Sequence, residues 1–140
     1  MKKASFILFL LFLDQLTKIL TLNIHKKFLF FSINSTTNTG TLFGLSQGNN
    51  LLFTLLSLAL ISLLIYFYKK EPPLQTGFNF ILAGALGNLL DRLFRGVVLD
   101  FLDFKIWPIF NLADACIVLA TVTFKNLASI LSYGILLLMR

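Results

Sequence analysis

The chain has 140 residues, of which 57% are hydrophobic and 13% charged, and a net charge of +6; its mean hydropathy is +0.86. This composition excludes an ordinary soluble domain and predicts an integral membrane protein with one small domain over residues 1–140. With one cysteine and one histidine there is no zinc-ligand set and no internal disulfide, and the basic residues fall in scattered pairs, so nucleic acid is not an expected partner.

The first predicted span covers about 4–22 and is apolar apart from Asp14, Gln15, Thr17 and Lys18. It follows two lysines, as a signal peptide would, but no small-x-small cleavage site comes after it. Asp14 and Lys18 are four residues apart on one helix face, and the plain reading is an ion pair that makes both tolerable in lipid. In the following connector, residues 27–33 alternate with β-type residues. Gly44-Leu45-Ser46-Gln47-Gly48 has the form of a nucleophile elbow. It lacks the strand-to-helix context, and His25 has no clear acidic orienter, so the segment reads as a turn.

The second span, about 51–68, is a clean apolar run that closes at Lys69 and Lys70 before Glu71-Pro72-Pro73. The third, about 74–94, contains Gly77, Ala83, Gly84, Ala85 and Gly87, small residues that let helices approach closely. Near its end Asp91 and Arg92 are adjacent, point in different directions and each need a partner. A second β-type stretch, 97–104, follows. The fourth span begins at Asn111, a candidate N-cap that would put Asp114 in the first turn, at the positive end of the helix dipole. It runs to about 130, with Lys125 snorkelling and Cys116 a small apolar filler. The apolar remainder, 131–139, fits either a longer tilted helix or a turn along the membrane surface.

The fold expectation is therefore an all-α integral membrane protein of four transmembrane helices with a small β element. Four spans put both termini on one side. Lys2, Lys3, Lys69, Lys70, Lys125 and Arg140 then face the cytoplasm against Lys26, Lys27, Arg95 and Lys105 outside. Both long connectors, and the small sheet, lie on the outer face.

Of six acidic residues, Glu71 sits in a polar connector. The five aspartates lie in or beside apolar segments, where an ionised group costs several kcal/mol, so they need a reason. Asp100 and Asp103 precede Asp114 by 14 and 11 residues, in a connector that returns to the same face, and spacing allows either to pair with it. Two adjacent carboxylates cannot both ionise cheaply; one keeps a proton, which supplies an acid and a base without a metal, as in aspartic proteases. A proton or ion relay through Asp14, Asp91 and Asp114 is the alternative from another class, and a structural membrane subunit a third. A relay would spread its carboxylates through the membrane depth, whereas these crowd toward the outer face, with Asp14 as the only deeper candidate.

Five segments, in order, resemble the lipoprotein signal peptidase (signal peptidase II) family of bacterial inner-membrane aspartic peptidases. They are Asp14-Gln15-Leu16-Thr17-Lys18, Asn38-Thr39-Gly40-Thr41-Leu42-Phe43-Gly44, the block from Gly84 to Arg92, Gly96-Val97-Val98-Leu99-Asp100-Phe101, and Phe110-Asn111-Leu112-Ala113-Asp114. The resemblance implies that Asp100 and Asp114 are the catalytic dyad, with Asp103 a bystander. It further implies that Asn38, Gly40, Asn88, Arg92 and Asn111 orient the dyad or hold substrate, and that Asp14, Lys18 and Asp91 shape the site. The implied substrate is a diacylglyceryl-modified prolipoprotein, cut just before its lipid-bearing cysteine. No cofactor or metal is called for; membrane lipid is the surrounding partner, the protein is expected to be a monomer, and the active site faces the periplasmic side. Thr41 and Leu42 depart from the family's small residues after Gly40, the connector from Asp100 to Asp114 is short, and the apolar tail after Lys125 is unusual.

Overall fold

The structure, a computed structural model, describes residues 3–39, 49–70 and 74–138, with side chains between residues 4 and 125. Its elements are α1 (Lys3–Thr21), β1 (His25–Lys27), β2 (Ser32–Asn38), α2 (Asn50–Tyr68), α3 (Gln75–Phe94), β3 (Val98–Asp103) and α4 (Leu112–Leu138). The four helices match the four apolar segments of the sequence, and α1 and α2 are long and apolar enough to cross a membrane. No proline interrupts residues 112–138, and the apolar tail simply lengthens α4.

The distribution of polarity is inverted relative to a soluble domain. The largest fully buried side chains are Lys18, Asn111, Asp14 and Asp91, while Leu8, Phe9 and Phe12 of α1 and Leu51, Leu55 and Ile65 of α2 are exposed. Apolar surface on this scale is stable only against an apolar solvent or partner. An apolar cluster of Ile61, Leu64, Phe78, Leu82, Ala85 and Leu89 joins α2 to α3. Buried Asn79 is satisfied there by the Tyr68 hydroxyl at 2.7 Å.

Helix α3 is the hub, and the small residues along it allow this. A Cβ on Gly84 would collide with the Ala113 carbonyl oxygen of α4, one on Gly77 with the Phe124 ring, and one on Gly87 would lie 2.6 Å from Asp14 Oδ2 of α1. Gly96, at φ +75°, ends α3 in the left-handed conformation that glycine adopts without strain, and so turns the chain directly into β3.

The strands form one antiparallel sheet in the order β1-β2-β3. Strand pairing opposes Thr36 to Asp100 and Asn38 to Val98, with a register irregularity between Ile33 and Thr36. The strand expected over 27–33 is divided by a tight turn: Phe28 N–H donates to Phe31 O at 2.8 Å. Periodicity missed this turn because Phe28, Leu29, Phe30 and Phe31 are strand formers without glycine, asparagine or proline to mark a reversal.

Candidate active site

Two local features bring the dyad candidates together. Strand β3 carries Asp100, which is 2% exposed. After β3 the chain folds back on itself: Phe110 N–H donates to Leu102 O at 3.0 Å and Leu102 N–H to Phe110 O at 2.8 Å. This bridge fixes Asn111 beside Asp100, just as α4 begins. Asn111 then caps α4 in a reciprocal box: Asp114 N–H donates to Asn111 Oδ1 at 2.9 Å, and Asn111 N–H to Asp114 Oδ2 at 3.3 Å. Capping alone would explain Asp114. The remaining bonds connect it to more.

Asn111 Nδ2 donates to Asp100 Oδ1 at 2.7 Å and to Asn88 Oδ1 at 3.1 Å. Asn88 Nδ2 donates to Asp114 Oδ1 at 2.8 Å. From the sheet, Asn38 Nδ2 donates to Asp100 Oδ2 at 2.9 Å; it sits two residues beyond the residue opposite Asp100, a diagonal within side-chain reach. Among the described residues, each oxygen of both carboxylates thus accepts one hydrogen bond, which uses one of its lone pairs.

The amide orientations are dictated by charge. Lys18 Nζ donates to Asn88 Oδ1 at 3.2 Å, so the Asn88 oxygen must face the cation and its NH2 must face Asp114. Lys18 is 0% exposed and lies 2.9 Å from Asp14 Oδ2 and 2.8 Å from Asp91 Oδ2. Asp14 also accepts from the Ala113 N–H at 2.8 Å, which adds a negative charge at the positive end of α4. Asp91 accepts from the Leu99 N–H at 3.2 Å, tying β3 to α3, and pairs with Arg95. The expected Asp14–Lys18 pair is present, and the partners that Asp91 required are Lys18 and Arg95.

Asp100, on the strand and outside the helices, has its pKa pushed up to about 6, first by burial and then by the charge of Asp114, against hydrogen bonds from Asn38 and Asn111 and the charge of Lys18. A carboxyl poised there exchanges a proton near neutral pH. Asp103 has a different environment: its pKa is lowered, chiefly by a hydrogen bond from Lys105, and it also accepts from the Ser32 hydroxyl at 3.2 Å. Those partners turn it away from the Asp100–Asp114 network.

Beside Asp114 opens an apolar cavity of about 510 Å3, walled by Phe104, Ile106, Trp107, Phe110, Val118 and Leu119. The chemistry on offer is a pair of linked carboxylates, one titrating near neutrality, at the polar end of an apolar slot.

Of the residues singled out from sequence, Asn38, Asn88, Asp100, Asn111 and Asp114 form one network, and Asp14, Lys18 and Asp91 adjoin it. Arg92 stands at the edge, its guanidinium 5.7 Å from the Phe53 ring centroid and its carbonyl bonded by Asn50 Nδ2 at 3.3 Å. Gly40, the rest of the loop to residue 48 with its elbow-like serine, and Glu71 lie outside the described residues. The carboxylates gather at one end of the helices, which is not the spread a relay requires. Two contributors were missed. Gln15 Nε2 reaches Asp14 at 3.1 Å, Gly87 O at 3.2 Å and Asp91 at 3.2 Å, and its Oε1 accepts from Arg95 at 2.9 Å. The i,i+4 spacing of Asp91 and Arg95 was a readable signal; nothing in the pattern marks Gln15 beyond its place next to Asp14.

Comparison with known proteins gives the family. The family described as signal peptidase (SPase) II matches residues 6–130. The lipoprotein signal peptidase of Halothermothrix orenii is 40% identical, over 81% of this chain and 85% of that protein. That of Thermodesulfovibrio yellowstonii is 38% identical, over 89% and 95%. A bacterial membrane enzyme structure obtained by the in meso method at 2.3 Å resolution superposes with a TM-score of 0.83 at 27% identity, covering 93% of this chain and 87% of that one.

Proposed function

Because this chain belongs to the signal peptidase II family, we propose that Asp100 and Asp114 are its catalytic dyad, in a helical bundle that spans the membrane four times. The activity is that of a membrane aspartic endopeptidase that removes the signal peptide from prolipoproteins. The substrate carries a diacylglyceryl group, and the cut falls on the N-terminal side of the lipid-modified cysteine.

The observation that carries the dyad is Asn111. It donates to Asp100 and exchanges hydrogen bonds with Asp114, so one residue holds both carboxylates to a common geometry. The pair shares one proton and titrates as a unit. Its charged member takes a proton from a water that attacks the scissile carbonyl; its protonated member hydrogen-bonds the developing oxyanion and then protonates the leaving amine. Asn38, Asn88 and Asn111 keep the carboxylates in place. Lys18, Asp14 and Asp91 hold Asn88 and α4 in place, and Arg92 contacts the substrate backbone.

The apolar cavity beside Asp114 suits the hydrophobic residues of a signal peptide entering from the membrane. Acyl chains stay in the outer leaflet, which brings the scissile bond to the headgroup level. The working arrangement is a monomer in the bacterial inner membrane, with its single domain over residues 1–140 and its sheet and dyad on the periplasmic side. Purified protein incubated in detergent with a lipidated prolipoprotein tests this: Asp100→Asn and Asp114→Asn each lose about 10²–10⁴-fold in cleavage rate. Full cleavage by either variant overturns the assignment.

A further inference from the structure

The sheet edge farthest from the dyad carries a feature the peptidase chemistry does not use. Strand β1 contributes His25, Lys26 and Lys27, and with Ser32, Asn34 and Lys105 they line a pocket of about 140 Å3. Among the described residues neither Lys26 nor Lys27 has an acidic partner, and the only carboxylate nearby, Asp103, is taken by Lys105. Lysines on an edge strand blunt aggregation, but that role does not require them to converge with a lysine from another loop. The volume equals about five waters at roughly 30 Å3 each. It fits a phosphate group and is too small for a folded partner.

The second observation is what borders the pocket. The turn after Lys27 exposes Phe28, Leu29 and Phe30, with Leu29 88% and Phe30 80% exposed, and the loop after β3 exposes Ile106, 92%, next to Lys105. Phe28 and Phe31 stack at 4.7 Å and Phe31 meets Phe104 at 5.9 Å, so the two loops are joined into one apolar edge. Apolar tips flanked by lysines match the depth profile of a leaflet, with acyl chains below and phosphates above.

We propose that this pocket receives the phosphate of an anionic phospholipid while Phe28, Leu29 and Phe30 enter the acyl region, clamping the sheet onto the membrane beside the active site. The inference rests on the membrane-embedded reading given above. A lipid that binds here is a partner of the enzyme and is distinct from its substrate.

Occupancy is read by isothermal titration calorimetry on the full chain, because Trp107 walls the cavity beside Asp114 and its fluorescence would follow that cavity. In zwitterionic detergent, short-chain phosphatidylglycerol gives a saturable signal at a concentration about tenfold lower than short-chain phosphatidylcholine or inorganic phosphate. The double variant Lys26→Gln/Lys27→Gln loses that preference, and Lys26→Arg/Lys27→Arg keeps it, which separates lost charge from misfolding. Equal response to both lipids, or an unchanged preference in the glutamine variant, overturns the proposal. Inorganic phosphate binding as tightly as the lipid overturns the membrane source. Cleavage of prolipoprotein by the same preparations stands as a separate readout, since a failed headgroup preference with intact cleavage leaves the peptidase reading untouched.

Discussion

Replacing Lys18 by methionine is the most direct probe of how the charged interior holds together. The network is neutral: buried Asp14 and Asp91 stand against buried Lys18 and the exposed Arg95. Methionine preserves apolar volume and removes the cation, and Arg95 still compensates Asp91. Asp14, 1% exposed, is then left charged with only hydrogen bonds from Ala113 and Gln15. Stranding one buried charge costs about 3–5 kcal/mol, and Lys18 is fully enclosed, so solvent screening does not reduce the figure. At roughly 2–4 °C per kcal/mol for a chain of this size, the midpoint falls by about 10 °C. Cys116, the only cysteine and 3% exposed, allows the measurement: a thiol-reactive dye reports unfolding in detergent. Adding Asp14→Asn restores neutrality and recovers part of the loss. It does not recover all, because Gln15 Nε2 then faces a donor where it faced a carboxylate oxygen. A Lys18→Met midpoint within 2 °C of wild type, or a double variant less stable than the single one, refutes the reasoning.

Three further outcomes follow from the same geometry. With Asp100 pushed up to about 6, a dyad that titrates as a unit loses its shared proton as pH rises past that point and cleavage falls; Asn38→Ala, by removing a donor that favours the charged form, moves this alkaline limb up by about one unit, which a pH–rate profile reads. Gly87→Ala would place a Cβ 2.6 Å from Asp14 Oδ2 and costs about 1–3 kcal/mol as overpacking; unchanged dye-monitored melting would show that α1 and α3 can separate freely. Asp103→Asn leaves cleavage within a few-fold of wild type, because Asp103 is engaged by Lys105 and Ser32; a loss comparable to that of Asp100→Asn would shift the dyad to the other candidate.

Much of this protein was readable in one dimension. Apolar runs of about 18–20 residues without strand-type alternation read as helices, so the four helices and their order follow from hydropathy. The small residues of α3 announced close packing, and the i,i+4 spacing of Asp14 and Lys18 announced their pair. Other features depended on contacts between segments far apart in the chain. Periodicity could not divide 27–33 into a hairpin, because four strand-forming residues make its turn. Spacing could not choose between Asp100 and Asp103, since both lie on β3 within reach of α4. In three dimensions the Leu102–Phe110 bridge puts Asn111 against Asp100, and Lys105 turns Asp103 elsewhere. Hydrophobic pattern is a local property and specifies elements. Which carboxylates come together is decided by distances and burial that exist only after α1, α3, β3 and α4 have packed around Lys18.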